Sequence, residues 1–313
     1  MQISEIGLFA PATIANVSCG FDVLGCCLDA IGDKMIIRKT KKRGIRIAEI
    51  IGEDLPMEPE KNVAGVAIMA MLEAHQLKPN FGFEIVMHKN IKPGSGIGSS
   101  AASAAGAVFG ANELLNRPLS QEELIEFAAE GERVACGSPI ADNVAPALLG
   151  GFTLVKSTDP IQIVKLPSLK GLYATVIHPQ IEIKTADSRS LLPQKVALKE
   201  AVKQWANVGA LVHSLHTNDF ALFADSLNDY IVEPHRSKLI PHFDKVKSES
   251  IKSGALGGGI SGSGPSIFTF SKNSEIANNV KDTIERIYSE TTIPFHIYTS
   301  PVNETGVKIL YKK

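Results

Sequence analysis

The stretch Ile91-Lys-Pro-Gly-Ser-Gly-Ile-Gly-Ser-Ser-Ala-Ala-Ser103 constrains this chain more than any other. Gly94, Gly96 and Gly98 recur at every second position, so the backbone there can turn sharply and approach another group closely. The run before it, Phe81–His88, has the β-branched and aromatic content of a strand, and Ser100–Asn116 after it reads as a helix of mostly small residues. A glycine loop between strand and helix gathers backbone N–H groups. The first helical turn adds unpaired N–H groups and the positive end of the helix dipole. Ser99 and Ser100 supply hydroxyls for a phosphate or a phosphate-bound metal. A glycine cluster alone is an ordinary turn; the strand-loop-helix setting and the paired serines set this one apart. It is not a Walker A loop, because Gly-Lys-Ser/Thr occurs nowhere in the chain. Gly257-Gly-Gly-Ile-Ser-Gly262 does fit the dinucleotide pattern Gly-x-Gly-x-x-Gly. A strand-like run, Ser266–Phe270, follows it where a helix is required, and Asp282 lies in a helical pattern, so that reading is rejected.

Elsewhere strand and helix patterns alternate. Ile3–Ala10, Lys34–Thr40, Gly44–Ile50, Phe152–Lys156, Ile161–Leu166, Leu172–His178, Phe295–Thr299 and Val307–Tyr311 read as strands. Asn62–Gln76 carries apolar residues at helical spacing, and Ser120-Gln-Glu-Glu123 is a capping box for a helix running to about Ala135. Pro193–Ser253 is mostly helical. The fold class expected is α+β in two layered domains, residues 1–158 and 159–313, with the boundary near Thr158–Pro160. A length of 313 residues with 44% hydrophobic content allows sizeable cores. A net charge of −1 gives no global field for nucleic acid or anionic membranes, and no apolar run approaches the roughly 18 residues of a membrane span. Cys19, Cys26, Cys27 and Cys136 lack metal-binding spacing and read as free thiols in a reducing cytoplasm. His213 and His216 read as helix surface.

Three motifs, in order along the chain, resemble the GHMP family of small-molecule kinases. They are Pro11-Ala-Thr-Ile-Ala-Asn16 with Gly20-Phe-Asp22 and Leu24-Gly25, the glycine loop, and Gly257-Gly-Gly-Ile-Ser-Gly-Ser-Gly-Pro265. The segments Asp142-Asn-Val-Ala-Pro146 with Gly150-Gly151, Thr185-Ala-Asp-Ser-Arg189 with Leu192-Pro193, and Glu233-Pro-His-Arg236 with Leu239-Ile-Pro241 look like the homoserine-kinase branch of that family. Two departures are mild: Val17-Ser18-Cys19 where the family usually has a glycine, and Ile97 where leucine is usual. The resemblance implies a GHMP-kinase-like fold, with a left-handed βαβ unit in the N-terminal domain and a ferredoxin-like C-terminal domain. It implies ATP, Mg2+ and L-homoserine as ligands, a place in threonine biosynthesis, and a homodimer.

The resemblance also implies roles for particular residues. Pro93, Gly94, Ser95, Gly96, Ile97, Gly98, Ser99, Ser100, Ala101, Ala102 and Ser103 would hold the nucleotide, with Asn62 either an adenine contact or a helix N-cap. Ser100 and Glu132 would ligate magnesium; read alone, Glu132 is a solvated helix glutamate between Glu130 and Arg133. Arg189 and Arg236 can each grip a carboxylate through two parallel hydrogen bonds, which suits an amino acid. Asp22 is either a base for the attacking hydroxyl or, as the resemblance favours, an anchor for the substrate ammonium. Asn16 and Asn143 would hold the substrate hydroxyl or orient the arginines. Asp22, Asn143 and Arg189 form the expected catalytic set. A silent binding protein on the same fold is the rival, and intact Ser100 and Glu132 argue against it.

Overall fold

The computed structural model describes residues 3–137, 140–183 and 185–313, without the side chains of Cys136, Thr185 and Ala186. The expected free thiol of Cys136 therefore lies outside the described atoms. Cys19, Cys26 and Cys27 are buried and free, and burial pushes the Cys19 thiol up to about 12.

Strands β1 (Glu5–Ala15), β2 (Leu24–Thr40), β3 (Gly44–Ile51) and β4 (Gly82–His88) form the centre of the first sheet. β1, β2 and β4 pair antiparallel, whereas β3 runs parallel to β4 through the crossover helix α1 (Val63–Ala74). That is the βαβ unit. Helices α2 (Ser99–Leu114), α3 (Gln121–Cys136) and α4 (Ala141–Leu149) complete the layer with α1. α2 is buried along nearly its whole length, which accounts for its small residues. A Cβ on Gly110 would lie 2.6 Å from Ile37 Cδ1 and 2.7 Å from Leu8 Cδ1, so a side chain there would force both of these core side chains to shift. Ile6, Leu8, Met35, Ile37, Phe83 and Ile85 meet Ala101, Ala104, Ala105 and Val108 across this layer. Both halves of the capping box on α3 form, with Ser120 N donating to Glu123 Oε2 at 2.7 Å.

The second sheet contains β7 (Tyr173–Pro179), β8 (Gly257–Ile260), β9 (Ile267–Ser271) and β10 (Phe295–Pro301). Its order, β10-β7-β9-β8, is antiparallel throughout, and in chain order that is fourth-first-third-second, the ferredoxin-like arrangement. Helices α5 (Thr185–Ser190), α6 (Leu198–Thr217), α7 (Phe220–Ser226), α8 (Glu233–Arg236) and α9 (Phe243–Lys252) fill the crossover from β7 to β8. α10 (Ser274–Ser289) joins β9 to β10 and packs Val280, Ile284 and Tyr288 on Ile177 and Ile267. No helix of the described residues is long and apolar enough to cross a membrane.

Three features differ from the sequence reading. β2 starts at Leu24, ten residues before the expected Lys34, because Leu24–Leu28 is buried on both faces and shows no alternation. Gly257–Ile260 is a strand where the motif suggested only a loop; a Cβ on Gly258 would lie 2.0 Å from Phe268 O, so glycine permits the close pairing. The first sheet also reaches past residue 158. β5 (Phe152–Thr158) pairs with β6 (Ile161–Leu166), and β11 (Lys308–Lys312) returns to pair with β1. The pairing thus runs across the expected boundary.

Candidate active site

A cleft of about 710 Å³ opens between the two halves, lined by the glycine loop, the turn between β1 and β2, α3, α4, α5 and α8. Gly94, Gly96 and Gly98 have φ of 72°, 83° and 72°, the left-handed region in which glycine makes a sharp turn without strain. The loop is braced from the second domain: Ser261 Oγ donates to Gly96 O at 2.7 Å, and a Cβ on Gly96 would fall 2.6 Å from Ser261 O. The first α-helical hydrogen bond of α2 runs from Ala102 N to Gly98 O, so the amides of Ser99, Ser100 and Ala101 form its open N-terminal turn. Ser95 Oγ is buried without a hydrogen-bond partner among the described residues, a cost that a phosphate oxygen in the loop would remove. Beneath the loop, buried Lys89 pairs with Asp33 and donates to Ser99 O at 3.0 Å and Ser103 Oγ at 2.9 Å. Not every loop residue faces the ligand space. The side chains of Ile97, Ala101 and Ala102 pack in the cores, which leaves any contact of these residues with a nucleotide to their backbone. Asn62 is the N-cap of α1: its Oδ1 accepts from Ala64 N at 3.0 Å and its Nδ2 donates to Pro56 O at 2.8 Å, although it also borders the cleft.

At the mouth of the loop, Ser100 Oγ donates to Glu132 Oε2 at 3.0 Å. Glu132 is 3% exposed, so it is not the solvated surface residue that its neighbours suggested. Among the described residues no three His, Cys, Asp or Glu side chains are grouped to hold a metal. One carboxylate and one hydroxyl are hard donors that suit magnesium, which takes its other ligands from phosphate and water.

The far end of the cleft is built on backbone strain. Asn16, Val17 and Ser18 have φ of 69°, 43° and 62°, and Asp22 has 57°. Side chains rarely adopt this region, and a β-branched residue such as Val17 does so at real cost. The turn is held by Asn16, whose Oδ1 accepts from Asp22 N at 3.0 Å and whose Nδ2 donates to Gly262 O at 2.9 Å. Arg189 Nη2 reaches both Asp22 carboxylate oxygens, at 3.1 and 3.0 Å. Arg236 is 3% exposed and, among the described residues, donates to backbone alone, to Ser188 O at 3.3 Å and Gly262 O at 3.1 Å. Both guanidinium groups lie over the Phe21 ring, at 5.6 and 5.1 Å from its centroid. The structure therefore gathers Asn16, Asp22, Asn143, Arg189 and Arg236 around one space.

Two residues of this centre escaped the sequence reading, Thr13 and Asp142, though both lie inside quoted motifs. Thr13 Oγ1 donates to Asn143 Oδ1 at 2.7 Å, and Asn143 Nδ2 donates to Asp142 Oδ1 at 3.3 Å. Asp142 is buried in the cleft wall; burial, then the Asp22 and Glu132 charges, push its carboxyl up to about 7.

Comparisons with known proteins bear on this geometry. The model of the GHMP kinases N terminal domain matches residues 62–151, and that of the GHMP kinases C terminal domain matches residues 210–290. The chain is 45% identical to a homoserine kinase of Chlorobium phaeobacteroides strain BS1, over 96% of this chain and 98% of the relative. It is 36% identical to a homoserine kinase of Methanococcus vannielii, over 92% and 94%. Among solved structures, a homoserine kinase from Cytophaga hutchinsonii is 48% identical and superposes with a TM-score of 0.94, covering 98% of each chain. A mevalonate kinase at 16% identity and a TM-score of 0.70, covering 96% of this chain and 99% of that one, shares the fold. The chain belongs to the GHMP kinase family and, within it, to the homoserine kinases.

Proposed function

We propose that this cleft transfers the γ-phosphoryl group of ATP to the side-chain hydroxyl of L-homoserine, giving O-phospho-L-homoserine and ADP. One observation carries the reading: the cleft joins a phosphate loop to a wall where Asp22, Arg189 and buried Arg236 match the two charges of an amino acid. The loop amides and the α2 N-terminus hold the triphosphate. Magnesium fits Ser100 and Glu132, and when bound it would neutralise phosphate charge. The arginines take the α-carboxylate, and Asp22, now paired with Arg189, exchanges that partner for the substrate ammonium. The hydroxyl oxygen then bonds to the γ-phosphorus as the bond to the ADP oxygen breaks. In a loose transition state the nucleophile keeps its proton until late and then releases it to a transferred phosphoryl oxygen and on to water, so positioning and electrostatics suffice without a dedicated base. Asp22 is therefore assigned as the ammonium anchor. With this activity the chain would serve threonine biosynthesis in the cytoplasm.

A homodimer is the proposed assembly. The exposed apolar row Leu198, Val202 and Trp205 on α6 is surface that a second subunit would cover, and sedimentation reads the state directly. Coupled ADP release measured with homoserine, serine, threonine, mevalonate and galactose tests the activity. Homoserine should turn over far faster than the rest. Preference for mevalonate or galactose, or no turnover with homoserine, would overturn the reading.

A further inference from the structure

We infer that Thr13 is a positioning residue for phosphoryl transfer: its hydroxyl fixes the Asn143 side-chain amide so that Nδ2, and not Oδ1, serves the reacting oxygens. The inference rests on the reading of this cleft as the transfer site. Thr13 lies on β1, fully buried, and its Oγ1 meets Asn143 Oδ1 at 2.7 Å. A hydroxyl can donate or accept, so this contact alone does not orient the amide. The other end of the amide decides. Nδ2 lies 3.3 Å from Asp142 Oδ1, and at pH 8, above the value of about 7 to which that carboxyl is raised, it is ionised and only accepts. A flipped amide would set Oδ1 against that carboxylate, acceptor against acceptor. Thr13 must then be the donor, and the oxygen end of Asn143 is occupied. Nδ2 carries two hydrogens, of which Asp142 takes one and the cleft receives the other.

The pair also touches the phosphate loop. A Cβ on Gly98 would lie 2.1 Å from Thr13 Oγ1 and 3.0 Å from Asn143 Oδ1. The oxygen end of the amide therefore abuts the last glycine before α2, which leaves Nδ2 toward Asp142 and the cleft that both residues line. A donor facing the cleft stabilises the charge that develops on the transferred phosphoryl oxygens and cannot accept the hydroxyl proton. Asn143 thus acts as an electrostatic group, and Thr13 keeps it so.

Thr13→Val and Thr13→Ser, assayed at pH 8, separate the hydroxyl from the methyl group. Losing an oriented hydrogen bond worth about 1.4 kcal/mol in the transition state lowers kcat roughly tenfold. Thr13→Val should show that fall, while the homoserine KM and calorimetric Kd values for homoserine and nucleotide stay within about twofold of wild type, because the interaction is made mainly in the transition state. Thr13→Ser should restore kcat to within about twofold, since it returns the same donor. Should Thr13→Val melt below the assay temperature, Thr13→Ala removes the hydroxyl without setting a methyl against Oδ1 and gives the same contrast. Undiminished kcat in the hydroxyl-free variant, a KM rise with kcat kept, or a Ser variant as slow as Val would each overturn the inference. If the wild type does not phosphorylate homoserine, the functional reading fails separately, and the Thr13 contrast is read with the alcohol that it does phosphorylate.

Discussion

Asp142→Asn should make the ligand-free protein more stable at pH 8. Asp142 is buried in a wall that it shares with Asp22 and Glu132, and its carboxyl rises from 3.8 to about 7. Burial is the largest cause, the two neighbouring carboxylates add to it, and Arg189 opposes it. Between those values the native protein holds a proton that the unfolded chain has released, so stability falls as pH rises through this window. A rise from 3.8 to about 7, at about 1.4 kcal/mol per tenfold change in proton affinity, costs the folded state about 4 kcal/mol above pH 7 and nothing below about pH 4. Asparagine keeps the shape and does not titrate. The stability gap between variant and wild type, read from urea unfolding at pH 4.5, 6 and 8, should therefore grow by up to about 4 kcal/mol across the series. The cost belongs to an empty site that holds three carboxylates without the ammonium and metal proposed to neutralise them. Saturating homoserine should accordingly narrow the gap at pH 8. A gap that does not change with pH, or a variant less stable than wild type at pH 8, would refute the reasoning.

Two further substitutions test the phosphate end. Gly98→Ala sets a Cβ 2.1 Å from Thr13 Oγ1 at a φ of 72°, so thermal melting should show a loss of about 1–3 kcal/mol with activity falling further, whereas unchanged kcat would contradict the packing described. Glu132→Gln keeps the shape but removes the charge beside Ser100. The magnesium concentration for half-maximal rate should rise and activity fall steeply, while calorimetric homoserine binding without nucleotide stays unchanged; ordinary activity at low magnesium would remove Glu132 from the metal site.

Local chemistry was legible in the sequence where backbone demands are sharp. The glycine spacing at 94, 96 and 98 anticipated a sharply turning loop, which the structure makes with three left-handed residues, and the Ser120–Glu123 box anticipated the start of α3. Long-range placement was not. Nothing local tells that Leu24–Leu28 extends β2, because a strand buried on both faces loses its alternation. The left-handed run at Asn16, Val17 and Ser18 was hidden because no glycine marks it; contacts to Gly262, 246 residues away, help to hold it. Glu132 looked like surface from its charged neighbours, and only packing shows it buried. Thr13 and Asp142 stayed unassigned for the same reason. Each acts through Asn143, and the Thr13 contact spans 130 residues.

The proposal that the acceptor is a zwitterionic hydroxy amino acid is tested most directly by comparing kcat/KM for L-homoserine with that for 3-amino-1-propanol, the same molecule without its carboxylate. Among the described residues, buried Arg236 donates to backbone carbonyls alone, and Arg189 would lose its new partner as well. Leaving a desolvated charge unpaired costs roughly 2–5 kcal/mol, so the amino alcohol should be at least roughly 30-fold poorer. Equal kcat/KM for the two compounds would contradict the two-arginine clamp and, with it, the assignment of an amino acid as the phosphoryl acceptor.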